Sequence, residues 1–278
     1  MIIQTENLMN KFTYLLFATF PLLFSCNGNE KEADSSEVVT LEKGNRHILI
    51  FSDKSLSLYS DSASLSVYKE SLKNFLYDNY DQNGDRVKGY YIHANTLGAT
   101  PFLEVNFSVP EPDFEEGGYQ DQQNAKTNYE MARSDAKAAC LQPLIESFKM
   151  NNESSTNRET DIWATFELMT RFFADATPRD TCYVFFISDM VESVKGEGRR
   201  DFHRHSIKDK QEAESMAVED ARWIKDNSEV DPQVLSRIKA WTWIPPGPTA
   251  DNDFANLRYY WRKLFAELGV EKVREEVI

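Results

Sequence analysis

Hydrophobic and polar positions along this chain switch between two periods. Arg46-His-Ile-Leu-Ile-Phe51 is a short continuous apolar run, the pattern of a strand buried on both faces. Leu65, Tyr68, Leu72, Phe75 and Leu76 then recur at helical spacing, with Asp61 or Ser62 as N-cap. Val87 to His93 predicts a second strand, and Phe102-Leu-Glu-Val-Asn-Phe107 alternates as a third strand at a sheet edge would. Pro110 to Gln123 predicts an acidic loop. Asn124 to Lys149 is helical in pattern, with Pro143 expected to kink or split it. Asp161 to Ala174 predicts a helix with Ile162, Phe166, Met169 and Phe173 along one face. Cys182-Tyr-Val-Phe-Phe-Ile-Ser188 is the strongest apolar strand, and a polar loop leads from it to a helix over about Asp209 to Lys225. Ile238 to Ile244 predicts a further core strand, with Trp241 and Trp243 alternating on it, broken by Pro245-Pro246-Gly247-Pro248. The last helix, about Asp253 to Leu268, is expected to bury Phe254, Leu257, Trp261, Leu264, Phe265 and Leu268.

Unbroken apolar strands that alternate with helices define an α/β class: a doubly wound, mostly parallel sheet flanked by helices. Residues 48–51, 183–187 and 239–243 are expected as adjacent parallel core strands. In such a sheet the functional crevice lies beyond the carboxyl ends of the strands.

The N-terminus has a different pattern. Asn10 and Lys11 precede the apolar run Tyr14-Leu-Leu-Phe-Ala-Thr-Phe-Pro-Leu-Leu-Phe24, the length of a signal-peptide core and too short to span a bilayer as a helix. The run ends in Leu23-Phe24-Ser25-Cys26, which resembles the lipobox of bacterial lipoproteins. That resemblance implies a signal peptide over 1–25, export, and a lipid-modified thiol at Cys26 that anchors the chain to a membrane. Phe24 is bulkier than the lipobox pattern favours. Residues 26–45 are rich in Ser, Glu, Asp, Asn and Lys, the composition of a flexible tether. No Asp follows Cys26 directly, which under enterobacterial sorting rules implies the outer membrane, facing the periplasm or the cell surface.

Composition narrows the function classes. A formal net charge of −14 disfavours nucleic-acid binding and docking on anionic lipid. Beyond the first 25 residues no apolar run approaches the length of a membrane span. Besides Cys26 there are Cys140 and Cys182, for which a disulfide and two buried thiols are equally open.

Chemistry gathers at predicted strand ends. The first strand runs into Asp53-Lys54-Ser55-Leu56-Ser57, the strongest strand ends in Asp189, and Thr160 precedes a helix with Asp161 beside it. Two carboxylates and three hydroxyls, without His or Cys, form a hard-oxygen set suited to Mg²⁺, Mn²⁺ or Ca²⁺ and not to zinc. Asp-x-Ser-x-Ser after the first strand, a Thr before a helix and an Asp ending a core strand resemble the metal-ion-dependent adhesion site of von Willebrand factor A domains. The resemblance implies that Ser55, Ser57 and Thr160 bind the ion directly, that Asp53 and Asp189 act mainly through water, and that a protein partner's exposed Asp or Glu completes the shell. It covers about 46–272. The chain departs from the pattern at Leu56, where the family has Gly, and at Asn157-Arg158-Glu159, where it has glycines. The step from Ser57 to Thr160 is 103 residues, which places an insertion around 108–157; that from Thr160 to Asp189 is 29, enough for one helix and one strand. The ligands are expected in a solvent-reachable crevice.

Other constellations are weaker. His203 and His205 sit in a charged loop as solvated residues would. Lys195, Arg199, Arg200, Arg204, Lys208 and Lys210 outnumber Glu197, Asp201 and Asp209 there, either as a solvated face or as a means of steering an acidic partner to the ion. An enzyme is disfavoured: Ser55 stands where an Asp-x-Asp phosphatase has its second carboxylate, and no Gly-x-Ser-x-Gly elbow or Gly-rich phosphate loop occurs. Three classes remain: a metal-dependent binding domain, a degenerate scaffold without metal, and a divalent-metal hydrolase.

Overall fold

The computed structural model describes residues 44–53, 62–148, 159–196, 198–243 and 252–274. The signal peptide, Cys26, most of the tether, Ser55, Ser57 and the 244–248 break lie outside the described residues. So do the side chains of Leu65, Trp241, Trp243 and Phe254.

The elements follow in the order β1 (Arg46–Asp53), α1 (Ser62–Asn79), β2 (Arg86–Ile92), β3 (Leu103–Asn106), α2 (Tyr119–Ser147), α3 (Ala164–Phe173), β4 (Thr181–Ile187), α4 (Lys210–Asn227), α5 (Pro232–Leu235), β5 (Ile238–Trp243), α6 (Asn252–Glu267) and β6 (Lys272–Arg274). The six strands form one sheet in the order β3-β2-β1-β4-β5-β6. All neighbours are parallel except β2 and β3, so the edge strand expected over 102–107 is the one antiparallel pair. The expected trio of core strands is present: β1 pairs with β4 in the register Phe51↔Phe186, and β4 with β5 in the register Phe185↔Trp241.

The apolar runs are continuous because both faces of the sheet are covered. Side chains on a strand alternate between faces. Ile48, Ile50, Phe185 and Ile187 therefore point to one side, where Tyr68, Leu72 and Leu76 of α1 and Cys140 and Leu144 of α2 pack on them. Leu49, Phe51, Val184 and Phe186 point to the other, against Phe166 and Met169 of α3, Ala217 and Ala221 of α4, and Trp261 and Phe265 of α6. Phe186 stacks on Phe51 at 5.1 Å between ring centres and meets Phe265 edge-on at 5.6 Å. Cys140 and Cys182 are free and buried, in the cores on opposite sides of the sheet. Burial pushes their thiols up to about 12 and about 11, so both are poor nucleophiles.

Helix boundaries moved where side chains outside the apolar pattern act as caps. α2 starts at Tyr119 and not at Asn124, because the Asp121 carboxylate accepts a hydrogen bond from the amide of Gly118 at 3.0 Å. Pro143 neither ends nor splits α2. The missing N–H of Pro143 withdraws the helical partner of the Ala139 carbonyl, and Ala139 is an exposed residue. α3 starts at Ala164, since Asp161 accepts from the Ala164 amide at 3.1 Å instead of entering the helix. α6 ends at a left-handed Gly269, with Val270 N–H bonded to the Phe265 carbonyl at 2.8 Å and Gly269 N–H to that of Ala266 at 3.0 Å. That reversal feeds the short β6. No helix among the described residues is long and apolar enough to cross a membrane.

β1 and β4 are neighbours, yet the chain leaves β1 toward β2 on one side and β4 toward β5 on the other. The crevice at their carboxyl ends is the topological switch point of the sheet.

Candidate metal centre

Asp53 closes β1, and Ser188 and Asp189 follow β4 directly. The Ser188 hydroxyl donates to Asp53 Oδ2 at 2.9 Å and accepts from the amide of Met190 at 2.9 Å. Asp189 Oδ1 accepts from the Val191 amide at 3.1 Å. One oxygen of each carboxylate is thereby aimed by a neighbouring donor. Met190 holds φ 59° with its side chain fully buried, and Trp261 of α6 donates from Nε1 to its carbonyl at 2.6 Å. A left-handed conformation at a non-glycine residue costs on the order of 1–3 kcal/mol. Packing and the Trp261 bond hold it, and the turn swings the chain out of β4 immediately after Asp189.

Thr160 reaches the same edge from the other side. Its amide donates to Ser193 Oγ at 2.8 Å, and its carbonyl accepts from the Ser193 amide at 3.1 Å. The Asp161 amide bonds the carbonyl of His93, just past β2, at 3.3 Å. The segment Thr160–Asp161 therefore crosses from the end of β2 to the chain that follows β4. The structure places Asp53, Thr160 and Asp189 at one end of the sheet. Ser55 and Ser57 lie outside the described residues.

The expected solvent-reachable crevice is a correction. Asp53, Thr160 and Asp189 are 1%, 2% and 4% exposed, so these groups are packed between the sheet end and the loops that cover it. Their donor chemistry still fits a hard divalent cation, being oxygen only. Among the described residues no three His, Cys, Asp or Glu side chains group as ligands. A set of two carboxylates with hydroxyls has no third such side chain to contribute.

Behind Thr160 lies a buried polar network that sequence reasoning missed. Glu192 Oε2 accepts from the amides of Ile162 at 2.7 Å and Trp163 at 3.2 Å, capping the approach to α3 from another loop. Arg199 Nη2 donates to Glu192 Oε1 and to Asp161 Oδ1, each at 2.5 Å, and its guanidinium lies over the Trp163 ring at 4.9 Å. Trp163 Nε1 donates to the Tyr260 hydroxyl at 3.2 Å, which donates to Asp220 Oδ2 at 2.9 Å; Asp220 also accepts from Arg200 Nε at 3.0 and 2.9 Å. Burial pushes Glu192 up to about 8, against the pull of Arg199 and the amide hydrogen bond. Burial likewise raises Asp220, with Arg200 opposing. In sequence, Glu192 is one acid in a polar loop; only Ser188, next to Asp189 at a strand end, carried a visible signal.

The cations of this loop are paired with acids, although Lys195, Arg204, Lys208 and Lys210 stay exposed. Lys195 pairs with Glu159 at 3.3 Å, Arg200 with Asp220 and Glu219 at 2.8 and 3.3 Å, and Arg204 with Asp201 at 3.2 Å. Lys208 pairs with Glu212 at 3.9 Å and Lys210 with Glu214 at 3.5 Å. With Arg199 held by Asp161 and Glu192, each cation of the loop has an acidic neighbour.

The strained turn gives a direct test. Met190→Ala and Met190→Gly both lose the buried thioether, but only glycine relieves the left-handed strain. Met190→Gly is expected to be more stable than Met190→Ala by about 1 kcal/mol in urea unfolding, the reverse of the order in a helix. Equal midpoints, or alanine the more stable, would show that the turn carries no strain.

No known family model matches the sequence, and no curated protein matches it. Solved structures do resemble it. The pilus adhesin SpaC from Lactobacillus rhamnosus GG, in an open conformation, is 10% identical with a TM-score of 0.43, over 84% of this chain and 28% of the adhesin. The manganese-loaded TRAP protein of Plasmodium vivax is 12% identical with a TM-score of 0.37, over 77% of this chain and 62% of TRAP. A von Willebrand factor type A protein from Catenulispora acidiphila is 11% identical with a TM-score of 0.32, over 78% and 43%. The chain spans less than two thirds of each of these proteins. The α/β fold assigned here stands on the strand order and pairing.

Proposed function

We propose that this chain is a membrane-anchored, divalent-metal-dependent binding domain and not an enzyme. Asp53, Ser55, Ser57, Thr160 and Asp189 would hold Mg²⁺, or Mn²⁺ or Ca²⁺, and the ion would receive an Asp or Glu side chain from a protein partner. Cys26 would supply the lipid anchor, on the outer membrane. The observation that carries the metal reading is the placement of Asp53, Thr160 and Asp189 together at the switch point of the sheet, with Ser188 and Ser193 fixing the segments that bear them. Neutral hydroxyls neutralise less of the ion's charge than carboxylates would, which leaves it electrophilic toward an incoming carboxylate.

Isothermal titration with Mg²⁺ tests this. The wild type is expected to bind one ion per chain. Asp53→Asn, which keeps the size and an acceptor for Ser188, is expected to weaken binding at least about tenfold, the usual effect of changing a ligand or its immediate support. A second reading has its own observation: the near-complete burial of Asp53, Thr160 and Asp189 suits a scaffold that has traded its ion for internal hydrogen bonds. A wild type silent toward both Mg²⁺ and Mn²⁺ would establish the scaffold. Phosphate-ester hydrolysis with added Mg²⁺ would instead establish a metal-dependent hydrolase.

A further inference from the structure

We propose that Arg199 is a positioning residue for the metal centre, acting through Asp161 and Glu192 on the two segments that carry Thr160 and Asp189; this rests on the metal reading above. Those segments, Thr160–Trp163 and Asp189–Ser193, run side by side. Four hydrogen bonds join them: Thr160 N–H to Ser193 Oγ, Ser193 N–H to the Thr160 carbonyl, and the amides of Ile162 and Trp163 to Glu192. Among the described residues, Arg199 is the cation that bonds both acids of the junction. Its single Nη2 sits 2.5 Å from Asp161, the residue after Thr160, and 2.5 Å from Glu192, three residues after Asp189.

Glu192 is fully buried and the Asp161 side chain is 13% exposed, so their mutual repulsion is poorly screened by water. Remove the guanidinium and the carboxylates lose the cation that lets them share this space. Burial already favours a proton on Glu192, and without Arg199 it takes one up; a neutral Glu192 holds the amides of Ile162 and Trp163 less strongly, so the two segments loosen, and Thr160 and Asp189 with them. The geometry also requires arginine: a planar group stacked on Trp163 donates in two directions from a fixed position, whereas a lysine ammonium on a flexible stem gives one less constrained point charge. Arg200, the next residue, is a built-in comparison. It pairs with Asp220 at 2.8 Å, but that pair ties the loop to α4 and not one ligand-bearing segment to the other.

The test is a titration of Mn²⁺ into the full chain, read by the EPR signal of free aqueous Mn²⁺, at a temperature where circular dichroism shows each variant folded. Arg199→Met is expected to weaken Mn²⁺ binding by about 10–100-fold, the range for residues that orient metal ligands from behind. Arg199→Lys should recover part of that loss. Arg200→Met should bind like the wild type even where it melts earlier, since a purely structural ion pair changes the melting temperature and not the affinity of the folded protein. Wild-type affinity in Arg199→Met overturns the positioning role and leaves the metal reading intact. A wild type that binds no Mn²⁺ overturns the metal reading and this role with it. If Arg199→Met does not fold, Arg199→Lys and Asp161→Asn decide, and unchanged affinity in both overturns the proposal.

Discussion

Trp261→Ala is expected to destabilise the protein by about 3–5 kcal/mol, the range for deleting a large aromatic side chain from a packed core. Trp261 is 1% exposed and sits at the centre of an aromatic group, 5.1 Å from the Tyr260 ring and 6.1 Å from that of Phe265. Most of the loss is dispersion and apolar burial, because the helix cannot collapse toward a sheet face already filled by Phe51, Val184 and Phe186. The rest comes from the indole N–H. It donates to the carbonyl of Met190, a backbone group in a turn that sequence propensity alone would not hold. Trp261→Phe separates the two contributions. It keeps most of the ring volume but leaves the Met190 carbonyl without that donor, at a cost of about 1–3 kcal/mol. Urea unfolding of both variants gives the measurement. A phenylalanine variant as stable as the wild type would mean the Trp261 bond contributes nothing to holding the turn.

That turn also marks where the sequence stops being informative. Strands β1, β4 and β5 were legible because a strand covered on both faces must be apolar at every position, and few other elements write that pattern. The amphipathic helices α1 and α6 were legible for the matching reason at helical spacing. The start of α2 was not: Tyr119 to Gln123 holds three Gln and an Asp, and its helical state shows no apolar period. α5 and β6 span four and three residues, too short for any period to register. At the site, Asp53 and Asp189 could be found because a carboxylate that ends an apolar strand breaks the pattern sharply. Thr160 could be found only through the family resemblance. Glu192 and Arg199 could not be found, since their partners lie 30 and 38 positions away in sequence and a charged loop residue ordinarily faces water. The burial of the site escaped for the same reason: exposure at a strand end depends on which loop lies over it, and no local pattern encodes that.

In the proposed reading, Cys26→Ala is expected to move the protein from the membrane fraction to the soluble fraction almost completely. The expectation starts from what else in the chain could hold a membrane. The apolar run before Cys26 ends after Phe24, and no helix among the described residues is long and apolar enough to span a bilayer. A net charge of −14 repels the anionic headgroups that retain peripheral proteins, so the domain has no electrostatic attraction to fall back on. Each buried methylene of an acyl chain contributes about 0.8 kcal/mol, and stable anchoring needs more than one chain. Loss of the thiol removes every chain attached to it. The variant should still be exported if the signal run is recognised, and it should be released after cleavage at another site. Labelling with a radioactive fatty acid, followed by fractionation and washing at high salt, reads both steps. Label on the wild type and none on Cys26→Ala, with the variant in the wash, supports the anchor. A variant that stays with the membrane at the wild-type level after the wash would mean that residues 1–25 hold the chain themselves, as an uncleaved segment and not as a signal peptide.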